Sequence, residues 1–246
     1  DEEQVEQNIL EPDFDLPNTF DRDVRGFYGV EYLIYGNGVT DTELIANFDQ
    51  NRKDYLLLLV NELKTTFDDI VSEWNGSYQS EFVSNDGTAK GSSVSAFYNE
   101  LVKDYENLIY FKLELPAGLT ADQDAPDGTL VEAFYSGISR QLIVEHFENT
   151  KNIWSGKTRD GAELIGFDTY LEEAIGGPEL IEETKLGIAD IDAGIAALPQ
   201  GRLSDNADAP EVKALRDLFQ DNTANFKSSM SSLLGITITF NSGDGD

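Results

Sequence analysis

The stretch DRDVRGFYGVEYLIYG, Asp21 to Gly36, decides how the rest of the chain is read. Val24, Phe27, Val30, Leu33 and Ile34 recur at helical spacing, which predicts one helix with an apolar face. Gly26 and Gly29 interrupt it. Each costs a helix interior about 1 kcal/mol relative to Ala, and glycine there suits close approach of a second backbone or a ligand. Tyr28 and Glu31 are one helical turn apart and share a side. A phenol and a carboxylate on one face, beside small residues, can form half of a metal site. The same spacing also describes a tight helix–helix contact closed by a Tyr–Glu hydrogen bond. A carboxylate buried there needs a cation or donors, and Arg25 is the nearest in sequence.

Outward from this stretch the chain reads as helices joined by polar loops. Residues 1–20 are acidic, carry Pro12 and Pro17, and read as an extended arm. Thr40–Asp49 predicts a short helix, with Thr40 or Asp41 as cap and Glu43 placed for a capping box. Leu56, Leu59, Val60, Leu63, Phe67, Ile70, Val71 and Trp74 predict a long helix over 51–74, ended by Asn75-Gly76. Further helices are predicted near 94–113, 138–154 and 168–175. Pro178 opens another, whose seam runs Ile181, Thr184, Ile188, Ile191, Ile195 and Leu198. The last spans 210–234, and the tail 235–246 begins with a short β-branched run. This is an all-α bundle.

The chain has 246 residues and is 40% hydrophobic, enough for a real core. No apolar run approaches the ~20 residues that span a bilayer, so no transmembrane segment is expected. The abrupt start at Asp1 reads as a mature or trimmed product. Net charge is −30, which argues against nucleic acid and anionic membrane surfaces as partners. Diffuse acidity of this kind serves solubility and also permits cation binding. There is no cysteine and a single histidine, His146. A zinc peptidase site needs two His plus a carboxylate, with a further Glu as base. His146 shares a face with Leu142, Ile143, Thr150 and Ile153, and reads as a packed, hydrogen-bonded residue. Ser136 and Ser139 read as a helix N-cap pair.

GFYGVEYLIYG resembles the signature stretch of the imelysin-like family, also called the iron-regulated protein A family, whose motif is G-x-H-x-x-E. Gly26, Tyr28 and Glu31 take the Gly, His and Glu positions, so Tyr28 stands where the family has His. LVEAFYSGIS resembles the family's middle motif through Glu132, Tyr135, Ser136, Gly137 and Ser139, with Lys112, Pro116 and Gly118 matching the segment before it. Leu234, Gly235, Phe240, Asn241, Asp244, Gly245 and Asp246 match the closing stretch.

The resemblance implies a fold of two four-helix-bundle-like halves with the site between them. It places the imelysin-like domain at 21–246, with the signature helix at 21–36, and implies that an N-terminal half is missing or separate. That half, or a second copy, is then an expected partner for the apolar surface around Phe27 and Val30. Location in the periplasm, outer membrane or cell surface is implied, as is a lipid anchor outside this chain. The implied function is binding of a metal ion or iron-containing ligand in iron uptake, without catalysis. Tyr28 and Glu31 would be ligands. Gly26, Arg25, Glu132, Tyr135, Ser136 and Ser139 would be binding residues, the middle motif forming the facing wall. Phenolate and carboxylate oxygens suit iron better than zinc. The alternatives are a metallopeptidase using the same cleft, or an interaction protein with a degenerate site.

Overall fold

The computed structural model describes residues 2–11, 24–36 and 39–240. It divides into two compact units, Asp1–Glu81 and Phe82–Asp246. Among the described residues there is no strand, only an isolated antiparallel bridge between Lys157 and Glu163. The all-α expectation holds.

The first unit contains α1 (Glu2–Leu10), α2 (Gly26–Tyr35), α3 (Asp41–Ala46) and α4 (Gln50–Glu73). Thr40 caps α3 through the expected capping box with Glu43. Asp49 starts α4 by accepting the Arg52 N–H at 2.9 Å. Residues 2–10 depart from the expected extended arm. Glu2–Leu10 is a helix that buries Val5, Asn8 and Ile9. Val5 and Ile9 are one turn apart, too short a signal to read beside so many acids. The helix is held by tertiary contacts rather than by its own propensity. Asn8 donates to the Tyr55 hydroxyl at 3.1 Å, and that hydroxyl donates to the Val24 carbonyl at 2.9 Å. Arg52 pairs with Glu6, which also accepts from the Tyr32 hydroxyl at 2.8 Å. Pro12, Pro17 and the predicted first residues of the signature helix, 21–23, lie outside the described residues.

The apolar stripe of α4 is buried only near its start, where Tyr55 and Leu59 are covered. Val60, Phe67, Ile70, Val71 and Trp74 are exposed. Asn75-Gly76 ends the long helix as expected, the backbone at Gly76 leaving the helical region at φ −84°, ψ −131°. Beyond this kink a second, short helix follows, α5 (Gln79–Ser84). Glycine supplies the backbone freedom for this sharp break between the two helices.

The second unit is built on α6 (Ser93–Asn107), α7 (Ser139–Ser155), α9 (Gly177–Ala197) and α10 (Pro210–Ala224), with short α8 (Phe167–Leu171) and α11 (Ser231–Leu234). The four long helices pack α6 on α7, α7 on α9, and α9 on α10, and the extension of α6 closes the ring on α10. That extension is a π turn at Leu108–Glu114, and another extends α10 at Asn225–Met230. Tyr98, Tyr105, Phe147, Phe219 and Phe226 fill the centre. The predicted α9 seam is buried throughout except at half-buried Ile188.

The described part of the tail, 235–240, is not a strand, and 241–246 lie outside the described residues. Ile236 is buried, and Ile238 and Phe240 pack against the core. Between them the backbone is held by one side chain. Asn99 of α6 donates to the Thr237 carbonyl at 3.1 Å and accepts the Thr239 N–H at 2.7 Å. Asn99 is 5% exposed, so its loss would orphan buried groups at a cost of about 1–3 kcal/mol. Asn99→Ala is expected to lower stability by that amount in urea denaturation. It is also expected to speed hydrogen exchange at Thr239 more than at α7.

Candidate functional site

Arg25 immediately precedes α2 in extended conformation and forms an ion pair with Glu62 of α4. The two motif glycines have different physical roles. Gly26 has φ +67° and open space around it, so it serves the turn into the helix and not a close approach. Gly29 is the close approach. A Cβ there would lie 2.8 Å from Leu59 Cδ1 and 2.9 Å from the Val24 carbonyl oxygen. Packing α2 on α4 at this point is what fixes the face carrying Tyr28 and Glu31.

Tyr28 is 59% exposed, and Glu31 is half-buried one turn further along α2. Phe27 is also exposed, its ring 6.4 Å from that of Phe67. Among the described residues, no three or more His, Asp or Glu are grouped to hold an ion. His146 belongs to the second unit. Its Nε2 lies 2.8 Å from an Asp104 carboxylate oxygen, the hydrogen-bonded state expected from its helix face.

The middle motif also lies in the second unit, so the expected site residues divide between the units: Arg25, Gly26, Tyr28 and Glu31 in one, Glu132, Tyr135, Ser136 and Ser139 in the other. Ser136 and Ser139 do not cap α7. The cap position is Ile138, with no side-chain bond. The Ser139 hydroxyl instead donates back to the Glu132 carbonyl, and that of Ser136 to the Ala133 carbonyl at 3.4 Å. The serines brace a bent segment rather than cap the helix. Ala133 within it has φ +57°, a left-handed backbone uncommon outside glycine. Arg202 clamps the same bend, donating to the Phe134 and Tyr135 carbonyls and lying over the Phe134 ring at 5.8 Å.

Glu132 forms an ion pair with Lys112, which stands on the π turn that extends α6. The Lys112 side chain is 11% exposed. Burial pushes its ammonium down from 10.5 to about 8, outweighing the opposite pull of Asp104. Sequence spacing could not pair Lys112 with Glu132, because the intervening loop and the widened helix turn set their approach. A π turn beside a left-handed residue is the type of local irregularity that gathers at functional sites.

A model of the imelysin family, carrying the peptidase designation M75, matches residues 2–230. No curated protein and no solved structure matches the chain.

The lowered Lys112 value has a consequence for stability. Between pH 8 and 10.5 the unfolded chain holds this proton and the folded chain sheds it. Stability contributed by the group therefore rises with pH across that window. Urea midpoints measured from pH 7.5 to 10.5 are expected to fall less steeply for the wild type than for the Lys112→Met/Glu132→Gln double variant. Parallel curves would show that the ammonium titrates as it does in the unfolded chain.

Proposed function

The chain belongs to the imelysin family, and from that premise we propose that it is an extracytoplasmic protein of the bacterial envelope that binds an iron-containing ligand through Tyr28 and Glu31. The observation that carries the reading is the exposed Tyr28 phenol one turn from Glu31, on a helix face fixed by the Gly29–Leu59 contact. The family peptidase designation keeps metal-dependent hydrolysis as the second reading. One histidine and no cysteine in the chain weigh against a zinc ligand set.

The donor chemistry fits iron. Two oxygens, one phenolic and one carboxylate, suit a hard cation, and iron bound there would supply charge neutralisation for both. A free phenol titrates near about 10, so coordination must displace its proton, and affinity must rise with pH. Two donors leave most of an octahedral ion's positions to other ligands. Iron already held by a chelator therefore suits this face better than a bare ion, and a role in iron uptake follows from that preference.

Ferric nitrilotriacetate is the appropriate probe, since its tetradentate chelator leaves two positions open for Tyr28 and Glu31. Wild type is expected to bind it with a visible phenolate–iron absorption band, more tightly as pH rises from 6 to 8. Tyr28→Phe should lose the band and the pH dependence. Glu31→Gln should lose affinity by about tenfold or more, the scale of one charged contact. Tyr28→His is expected to move preference toward zinc and copper. Equal binding by wild type, Tyr28→Phe and Glu31→Gln would refute the assignment.

A further inference from the structure

The second unit contains a groove that no part of this reading uses. It lies among α7, the hairpin that follows it, the start of α8, and α9, with a volume of about 590 Å³. That is within the roughly 300–1,000 Å³ of small-molecule sites. Its frame is closely built. Gly156 ends α7 at φ +65°, and any Cβ on it or on Gly166 would collide with the backbone of the other. Leu164 N–H donates to the Gly156 carbonyl at 2.6 Å, and Lys157 N–H to the Asn152 carbonyl at 2.8 Å. Thr158 and Ala162 close the hairpin tip at 2.9 Å.

The groups facing the groove divide into satisfied and unsatisfied. Lys151 is occupied by Glu148 at 2.6 Å and Asp192 at 2.8 Å. Lys185 is held by Glu182 at 2.8 Å, and Asp168 by Thr169 N–H at 2.7 Å. Lys157 and Glu163 are different. They stand directly opposite each other on the antiparallel bridge, both line the groove, and neither forms an ion pair with any described residue. Opposed residues on such a bridge lie about 4.5–5.5 Å apart at Cα and share a face. Half-buried Asn152 of α7 also lines the groove. Trp154 is 4% exposed, and its indole N–H has no hydrogen-bond partner among the described residues. Leu164, Ile188 and the Trp154 ring supply an apolar side.

The uncommitted groups are therefore one cation, one anion, one amide and the Trp154 indole N–H, beside an apolar wall. The lining lysines 151, 157 and 185 balance the lining acids Glu148, Glu163 and Asp168. In a chain of net charge −30 a simple anion is repelled on approach, whereas a ligand of zero net charge is not. We propose that this groove binds a zwitterionic α-amino acid with an apolar side chain. Its carboxylate is taken by Lys157 and the Asn152 amide, its ammonium by Glu163, and its side chain by Leu164, Ile188 and Trp154. The site is independent of Tyr28 and Glu31, so it stands or falls separately from the iron reading.

Leucine is the probe, and Trp154 is the reporter. The chain has two tryptophans, so Trp74→Phe leaves Trp154 emission alone. L-Leucine is expected to change that emission saturably, with matching heat in calorimetry. Lys157→Gln and Glu163→Gln, both exposed positions, are each expected to weaken it about tenfold or more, as loss of one charged contact requires. 4-Methylpentanoate lacks the ammonium and 3-methylbutylamine lacks the carboxylate. Each should bind about tenfold more weakly than leucine. No saturable signal at roughly 10 mM leucine, well beyond a millimolar affinity, overturns the proposal. So does 4-methylpentanoate binding as tightly as leucine, which would mark an anion site, or unchanged affinity in either variant.

Discussion

Tyr98 and Tyr105 sit two turns apart on α6, wholly buried, and each must find an acceptor for its hydroxyl. Both find backbone carbonyls on the facing helix. Tyr98 donates to Phe226 and Tyr105 to Phe219 at 2.8 Å. Seven residues on α6 are thus matched to seven on α10 and its π turn, in opposite chain directions, which fixes the register of the pair. The rings reinforce it, Tyr105 lying 5.6 Å from Phe219 and 5.0 Å from Phe226. Burial pushes both phenols well above the ordinary tyrosine range, so the hydroxyls remain donors at any physiological pH. Much else inherits this register. Glu106 meets Lys227 at 2.6 Å, Glu114 meets Gln220 at 3.0 Å, and Asn99 is placed to hold the tail.

The helices were legible because burial leaves a periodic trace. The α9 seam and the Thr40–Glu43 capping box are recovered as read, since each is a local pattern with a local cause. Three features left no such trace. Helix α1 is made by partners distant in sequence, Tyr55 and Arg52, which no window of adjacent residues contains. The π turns insert one residue into a ladder without changing its apolar rhythm, so 94–113 reads as one helix although it widens at Leu108. The exposed apolar stripe of α4 shows the converse. Its periodicity is strong, but periodicity records which residues share a face, not what covers them.

The candidate site was legible in the same uneven way. Gly29 was read as a close approach and is one, against Leu59. Gly26 carried the same reading but serves a positive φ, and composition alone does not separate those two uses of glycine. Ser136 and Ser139 looked like caps because serine before a helix usually is one. Here Gly137 at φ +73° and Ala133 at φ +57° turn the chain back, and the hydroxyls are drawn to carbonyls behind them. The Lys157–Glu163 bridge was invisible because its pairing comes from a hairpin whose tip is tied by Thr158, inside a segment that reads only as polar loop.

Charge ties these local features to what the protein can bind. With 47 acidic and 17 basic residues, most surface regions have no counter-charge of their own. Where lysines do occur, they are mostly committed within hydrogen-bonding reach of a particular acid, as Lys151, Lys185, Lys213 and Lys227 are. A cation left outside such pairs therefore stands out more here than in a protein of balanced charge, and so does an acid set opposite it. The same field acts on α2. It raises the local concentration of cations near Glu31 and opposes anionic chelates. At physiological salt that field decays over about 8 Å. Selection among ligands must then be made by contacts at the site: a phenol whose proton the metal displaces, or an ammonium and a carboxylate held a bridge apart.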